Sequence, residues 1–513
     1  MLYRIIIFGI LFAFVWYLQP IPFEQLCVQT RAIMSYTAAW HHGQVRPPAP
    51  FKRYGYFLHI TDFHMDEDYV PGASVRSDCH SLPALYHQMK QPKVAGLLGA
   101  PGERCDAPVE LIQQTLNWIG REWGDKLDFV IWTGDNARHD WDKKNRRNRK
   151  QVYNLNQRAT DMMIEAFWRP SRRIPLIPCI GNNDVYPHNR LDDNRTDADL
   201  LTFYERLWRP WIPVDQRPVF RQGGYFAVDI APRLRVLSLN TMYFFSRNKA
   251  VKNCVSEGAA RDHIRWFEDE LAKARRDGVT VYVMGHVPPS PRDYRNTCLR
   301  EYLRIASAYT DVIASHLYGH LNMDHFLLYD GRDYTTDSQT PEFSLLEDDI
   351  DDDSHGHFDV NRNVGKYVDW LRSMYEAIDD IEDMANLQSA PLVAIQVIPS
   401  ILPVYYPGVR VYRYEINDNP YSQRPDQKPY GTLLGYTQYY ANITDWEEKH
   451  PNEPLEYQIE YETGEEYGLK DLTSESFFQL AKTMVQGDLA GDRLWSNYVR
   501  NMFIQTMNDT FLY

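Results

Sequence analysis

Five short motifs, each closing an apolar run, constrain the fold of this chain more than any other feature. Asp62-Phe63-His64, Gly134-Asp135-Asn136, Gly181-Asn182-Asn183-Asp184, Gly285-His286 and Gly319-His320-Leu321-Asn322 occur in that order. The runs before them, 56–60, 129–132, 174–180, 279–284 and 312–317, read as buried strands. Between them lie amphipathic stretches. Residues 108–123 set Leu111, Thr115, Trp118 and Ile119 on one helical face, and 261–275 do the same with Ile264, Phe267 and Leu271. Strands alternating with helices predict an α/β layered fold, in which strand ends converging on one sheet edge assemble a site.

The residue types in those motifs define the chemistry. Carboxylate, imidazole and amide oxygen are ligands that hold a pair of divalent metals against a phosphate. A single Asp-x-His or Gly-His is a chance match, and a lone histidine at a strand end is ordinarily a structural one. Five such motifs after five strands point to a metal-dependent phosphoryl hydrolase.

With 513 residues, 44% of them apolar and 35 of them tyrosine, the chain buries a large core and is not a disordered segment. Its net charge of −14 argues against a nucleic-acid binder. A polyanionic substrate therefore needs a local basic patch. Lys143, Lys144, Arg146, Arg147, Arg149 and Lys150 supply one directly after the second motif. Two readings stay open for this run: a solvated face, or a funnel for a phosphate chain.

The N-terminus reads as a targeting segment. Arg4 precedes an apolar stretch over 5–18 that ends at Gln19-Pro20, which predicts an uncleaved signal anchor over residues 1–18. A linker over 19–50, a catalytic domain over 51–415 and a C-terminal extension over 416–513 packed on it follow. Asn194, Asn442 and Asn508 head N-glycosylation sequons. Cys79 with Cys105, and Cys254 with Cys298, flank loops after motif strands and are candidate disulfides of a secretory compartment. Cys179 reads as a small buried hydrophobe. The acidic run 348–353 reads as an exposed loop. Residues 392–398 and 409–414 return to strand character and are expected to complete the second sheet. Thr473 is the expected cap of a helix carrying Phe477, Leu480, Ala481 and Met484.

The ordered motifs resemble those of the calcineurin-like metallophosphoesterase superfamily. Trp132-Thr133-Gly134-Asp135-Asn136-Ala137-Arg138-His139-Asp140 is similar to its acid sphingomyelinase-like branch. The segments 59–64, 181–189 and 318–325 resemble fungal endopolyphosphatases. The resemblance implies a four-layer α/β/β/α sandwich and two divalent metal ions (Mn, Mg, Zn or Co) that activate a hydroxide. It implies Asp62 and His64 as ligands of the first metal, Asp135 as the bridge, and Asn182, His286 and His320 as ligands of the second. The superfamily pattern departs at two places. Asn183 stands where a histidine donor is usual, and Asn322 stands where a histidine usually completes the first metal site.

An alkoxide leaving group needs protonation, whereas a phosphate leaving group does not, so Asn183 favours phosphoanhydride cleavage. His139 and His188 remain candidate donors. The resemblance implies endo-cleavage of inorganic polyphosphate at the vacuole membrane, by a single-pass type II protein with a lumenal catalytic domain. Two alternatives stay open: a phosphodiesterase acting on a lipid headgroup or nucleotide, and a lapsed metal-binding membrane protein.

Overall fold

The computed structural model describes residues 54–83, 93–170, 172–192, 198–334, 360–379, 390–417 and 427–506, together with the single positions 381 and 387. Twelve strands form two six-stranded sheets: β1 (Gly55–Ile60), β2 (Phe129–Trp132), β3 (Leu176–Pro178), β4 (Phe226–Ala231), β5 (Leu234–Ser238), β6 (Thr280–Met284), β7 (Ile313–Tyr318), β8 (His325–Asp330), β9 (Leu392–Val397), β10 (Gly408–Tyr414), β11 (Leu433–Tyr440) and β12 (Gln458–Glu462). The first sheet runs β12-β11-β10-β1-β2-β3 and the second β8-β9-β7-β6-β5-β4.

Parallel pairing explains how the motifs converge. β1, β2 and β3 are mutually parallel, so the chain leaves all three at one edge. β5, β6, β7 and β9 are likewise parallel in the second sheet, which brings the fourth and fifth motifs to a common edge. The sheets meet through aromatic side chains. Phe57 of β1 stacks on Phe129 at 4.7 Å and on Tyr412 at 4.8 Å, and meets Tyr282 of the second sheet at 5.6 Å. The helices present the faces their spacing predicts. In α1 (Val109–Glu122) Leu111, Thr115, Trp118 and Ile119 are buried, and Trp118 packs on Tyr439 and Tyr457. In the helix Ala259–Asp277, Ile264, Phe267 and Leu271 are buried.

One strand lies elsewhere than its sequence suggests. Residues 392–397 do complete the second sheet, but β10 returns to the first, antiparallel to β1 with Phe57 opposite Tyr412. Strand character in a sequence carries no sheet address. The address comes from the crossing at 398–407, where Ile401 N–H and Leu402 N–H donate to the Thr61 and Asp62 carbonyls. The described part of 416–513 then adds β11 and β12 to the first sheet and four helices, of which the longer two are Ser474–Met484 and Leu489–Met502. Thr473 caps the former through its hydroxyl, 3.3 Å from Ser476 N.

Both expected disulfides are present, Cys79–Cys105 and Cys254–Cys298, and Cys179 is buried without a disulfide. The expected anchor over 1–18, the linker over 19–50, the acidic run, Asn194 and Asn508 lie outside the described residues. Among the described residues no helix is long and apolar enough to cross a membrane. Asn442 is partly buried and caps a short helix, its side-chain oxygen accepting from Asp445 N at 3.0 Å.

Candidate metal centre

The motif loops bend sharply where the strands end. Asp62, His64, Asp135, His320 and Asn322 all sit in left-handed backbone conformations, with φ of 52°, 41°, 56°, 73° and 59°. Side-chain-bearing residues rarely occupy that region, and such outliers cluster where surrounding structure holds them for function. Two glycines allow the loops to touch. A Cβ at Gly181 would lie 2.1 Å from the Asp135 carboxylate, and one at Gly319 would lie 2.1 Å from the Thr61 hydroxyl and 2.7 Å from the Asp62 carboxylate.

A buried carboxylate unites the second and third motifs. Asp184 accepts from the backbone N–H groups of Asp135 and Asn136 at 2.8 Å, Gly181 at 3.0 Å and Ala137 at 3.2 Å. It belongs to the third motif, but it acts as scaffold, holding the loop that presents Asp135.

Three groups of potential ligand atoms result, each within 4.8 Å of one another: Asp62, His64 and Asp135; Asp135, His286 and His320; and His64, Asp106 and His139. Asp135 belongs to two of them, as a bridging ligand must. His64 Nε2 lies 3.3 Å from Asp62 and 3.4 Å from Asp135, and His286 Nε2 lies 3.2 Å from Asp135. Asn182 enters the second group through its Oδ1, 2.9 Å from His286 Nε2. The other ring nitrogen of His286 faces the Thr133 carbonyl at 2.8 Å, which directs Nε2 to the centre. Burial opposes ionisation of Asp135, but His286, His64 and His320 hold its carboxyl well below the usual carboxylate range. Burial pulls His286 down, while Asp135 and Asp62 push it up to about 9.

The two positions that depart from the superfamily pattern behave differently. Asn183 donates from its backbone N–H and its side-chain Nδ2 to the two Asp135 oxygens, at 2.7 and 2.8 Å. Its backbone N–H and one side-chain N–H are therefore engaged in orienting Asp135, and its Oδ1, like that of Asn322, is buried without a partner. Asn322 carries a buried Oδ1 with no hydrogen-bond partner. A buried acceptor without a donor suits a cation ligand, and the carboxylate, imidazole and amide groups of Asp62, His64, Asp135, Asn182, His286 and His320, with Asn322 two residues after His320, fit divalent metals.

His139 is held as a side-chain donor would be. Its Nδ1 and backbone N–H meet Asp106 at 2.6 and 2.8 Å, and its ring is stacked between His64 at 4.0 Å and Trp141 at 3.7 Å. Nothing local in the sequence marks Asp106, which follows Cys105 in a segment with no motif of its own. Only the fold and the Cys79–Cys105 bridge bring it in. His188 lies at the second group, its Nε2 3.3 Å from Asn182 Nδ2, and burial and Arg147 push it down to about 3.

The basic run divides. Lys143, Lys144, Arg146, Arg149 and Lys150 are exposed, and Arg146 pairs with Asp140 at 3.2 Å. Arg147 alone turns inward, with 3% of its surface accessible.

Residues 55–324 match the family described as calcineurin-like phosphoesterase. The chain belongs to that family. Residues 384–512 also match the acid sphingomyelin phosphodiesterase C-terminal region. Among curated relatives, an endopolyphosphatase of Cryptococcus neoformans is 33% identical over 71% of this chain and 58% of its own length. One of Saccharomyces cerevisiae is 39% identical over 55% of this chain and 42% of its own. The chain thus spans about half the length of the curated relatives it matches. A solved dimetal phosphatase from Danio rerio matches with a TM-score of 0.37 at 10% identity, covering 71% of this chain and 96% of that one, a level that decides nothing. The matched family is one of phosphoesterases, and the three groups of potential metal ligands all lie within the matched span.

Proposed function

We propose that this phosphoesterase is an endopolyphosphatase, cutting internal phosphoanhydride bonds of inorganic polyphosphate with two divalent metals shared across Asp135. The observation that carries the reading is the pair of ligand groups meeting at that carboxylate. The matches to fungal endopolyphosphatases support the substrate. When bound, the metals supply Lewis-acid stabilisation of phosphoryl charge and lower the pKa of the attacking water. The chain's own residues do the rest. Asn183 and Asp184 fix the bridging carboxylate, the Thr133 carbonyl fixes the face of His286, and Asp106 holds His139 beside the reacting position.

The engagement of Asn183 with Asp135 suits a leaving group that is itself a phosphate and departs without a proton. The rival phosphodiesterase reading is supported by the C-terminal match and by the Asp106–His139 pair, which would protonate an alkoxide. The apolar stretch over 5–18 and the disulfides support a vacuolar, membrane-anchored setting with the catalytic domain lumenal. Asn442 is the described candidate for glycosylation there.

The test incubates the full chain with long-chain polyphosphate and Mn or Mg, sizing products on gels over time, beside an Asp135→Asn variant and a chelator. Early intermediate-length products, absent from both controls, support endo-cleavage. Intact polymer together with hydrolysis of sphingomyelin or a phosphodiester dye would transfer the assignment to the rival.

A further inference from the structure

The exposed run after the second motif is the obvious place to seat a phosphate chain. Three arginines from separate segments bordering the centre are stronger candidates. Arg147 turns into the protein, where one terminal nitrogen, Nη1, donates to the Arg138 and Asn183 carbonyls at 2.6 and 2.5 Å. Its Nε and Nη2 are buried and have no partner. A guanidinium held by one terminal nitrogen and orphaned at the other two is costly unless an anion completes it.

Arg247 and Arg292 belong to two further segments, which meet beside His320. The segments that carry them are stitched together: Ser246 N–H donates to the Asp293 carbonyl at 2.8 Å, and Phe245 forms a bridge with Tyr294. Phe245 also sets its ring against His320, 5.3 Å between centroids. Arg292 lies over the Tyr367 ring at 5.6 Å, and its buried Nε has no partner. The electrostatics agree with this placement. His188 feels Arg147 and Arg247, and His320 feels Arg247 and Arg292. Arg147 thus lies against the Asn183 backbone, and the two segments that carry Arg247 and Arg292 lie beside His320.

We propose that Arg147, Arg247 and Arg292 form an arc of phosphate-binding residues along the His188–His320 side, seating the phosphate units that flank the one being cut. The proposal rests on the polyphosphate reading and deepens it. Guanidinium is the group suited to this task, because its planar fork bonds two phosphate oxygens at once and stays charged at any working pH. An arc also answers the demand of internal cleavage. A chain cut in its middle must be held over several successive units, whereas a single cation at the centre suffices for a terminal phosphate. The exposed lysines of 143–150 then act at longer range, steering rather than seating.

The test compares Arg247→Gln/Arg292→Gln and Arg147→Gln with the charge-preserving Arg247→Lys/Arg292→Lys and Arg147→Lys. Readouts are KM and kcat for long-chain polyphosphate and for tripolyphosphate, together with metal content and melting temperature. Binding of long-chain polyphosphate is measured separately on the same substitutions in an Asp135→Asn background. The expected result is a KM for long chains raised about tenfold per arginine, a smaller rise for tripolyphosphate, and partial recovery with lysine. If Arg147→Gln lowers the melting temperature, the Arg247/Arg292 pair decides. An unchanged ratio of long-chain to short-chain KM in a metal-replete pair variant overturns the arc while leaving the endopolyphosphatase reading standing. Wild-type protein that leaves polyphosphate intact overturns both.

Discussion

The two halves of the metal centre are held by different means. On the His286 side the ligands follow strand ends closely: His286 stands two residues past β6, its ring is fixed by the Thr133 backbone carbonyl, and Asn182 is anchored by Asn189 Oδ1 at 2.9 Å. On the His64 side the support is a stack of side chains. His64 lies on His139, His139 on Trp141, and Asp106 pins His139 from a segment closed by the Cys79–Cys105 disulfide. Thr133 stands one residue beyond β2, and its own N–H donates to the Ile60 carbonyl of β1 at 3.1 Å, so its carbonyl is held by backbone pairing at the sheet edge. A stacked ring depends on a loop, and loops open first. The His286 half should therefore be the more robust of the two.

Asp135 belongs to both halves, and its removal is the largest test. Asp135→Asn is expected to cost about a thousandfold or more in kcat and to release metal from both halves, as metal analysis of the purified variant would show. If only one metal were lost, the shared carboxylate would not be the bridge. Asp106→Asn separates the halves. It is expected to weaken activity or metal affinity by about 10- to 100-fold, at the His64 half alone. Equal loss at His286 would erase the contrast between them.

The disulfide comes next. Cys79→Ser with Cys105→Ser should cost about 2–5 kcal/mol of stability by the usual measure for a native bridge, and metal loss at the His64 half should precede global unfolding in a denaturant titration. The smallest effect concerns His80 on the same segment. Its two ring nitrogens face Asp66 and Asp142 at 2.7 Å each. Burial pulls His80 down, but those carboxylates prevail and push it up to about 9, from an ordinary 6.5. A raised folded-state pKa stabilises fully below 6.5 and loses that contribution as pH rises through about 9. The melting-temperature deficit of His80→Ala should therefore be widest near pH 6 and should vanish above pH 9. A deficit independent of pH would assign His80 a packing role only.

Legibility in the sequence followed the range of the physical signal. Phe129–Trp132 and the helix after Thr473 were readable because hydrophobic period and capping act within a few residues. The sheet occupied by Gly408–Tyr414 was not, since pairing with β1 joins segments more than three hundred residues apart. In the centre, Asp62, His64, Asp135, Asn182, His286 and His320 were visible as motif residues. Asp106, Arg247 and Arg292 were not, because each stands in a segment with no local pattern and acquires its neighbours only on folding.

By itself the sequence determined the order of the strands, the identity of the candidate ligands and the absence of a histidine at positions 183 and 322. These are properties of residue type and short spacing. Tertiary structure alone decided that Asn183 orients Asp135, that Asp106 holds His139, and that Arg147 turns inward while its neighbours face solvent. Those are matters of direction. A side chain's direction is set by the left-handed turns and by parallel strands converging from distant parts of the chain, which no local stretch of residues encodes.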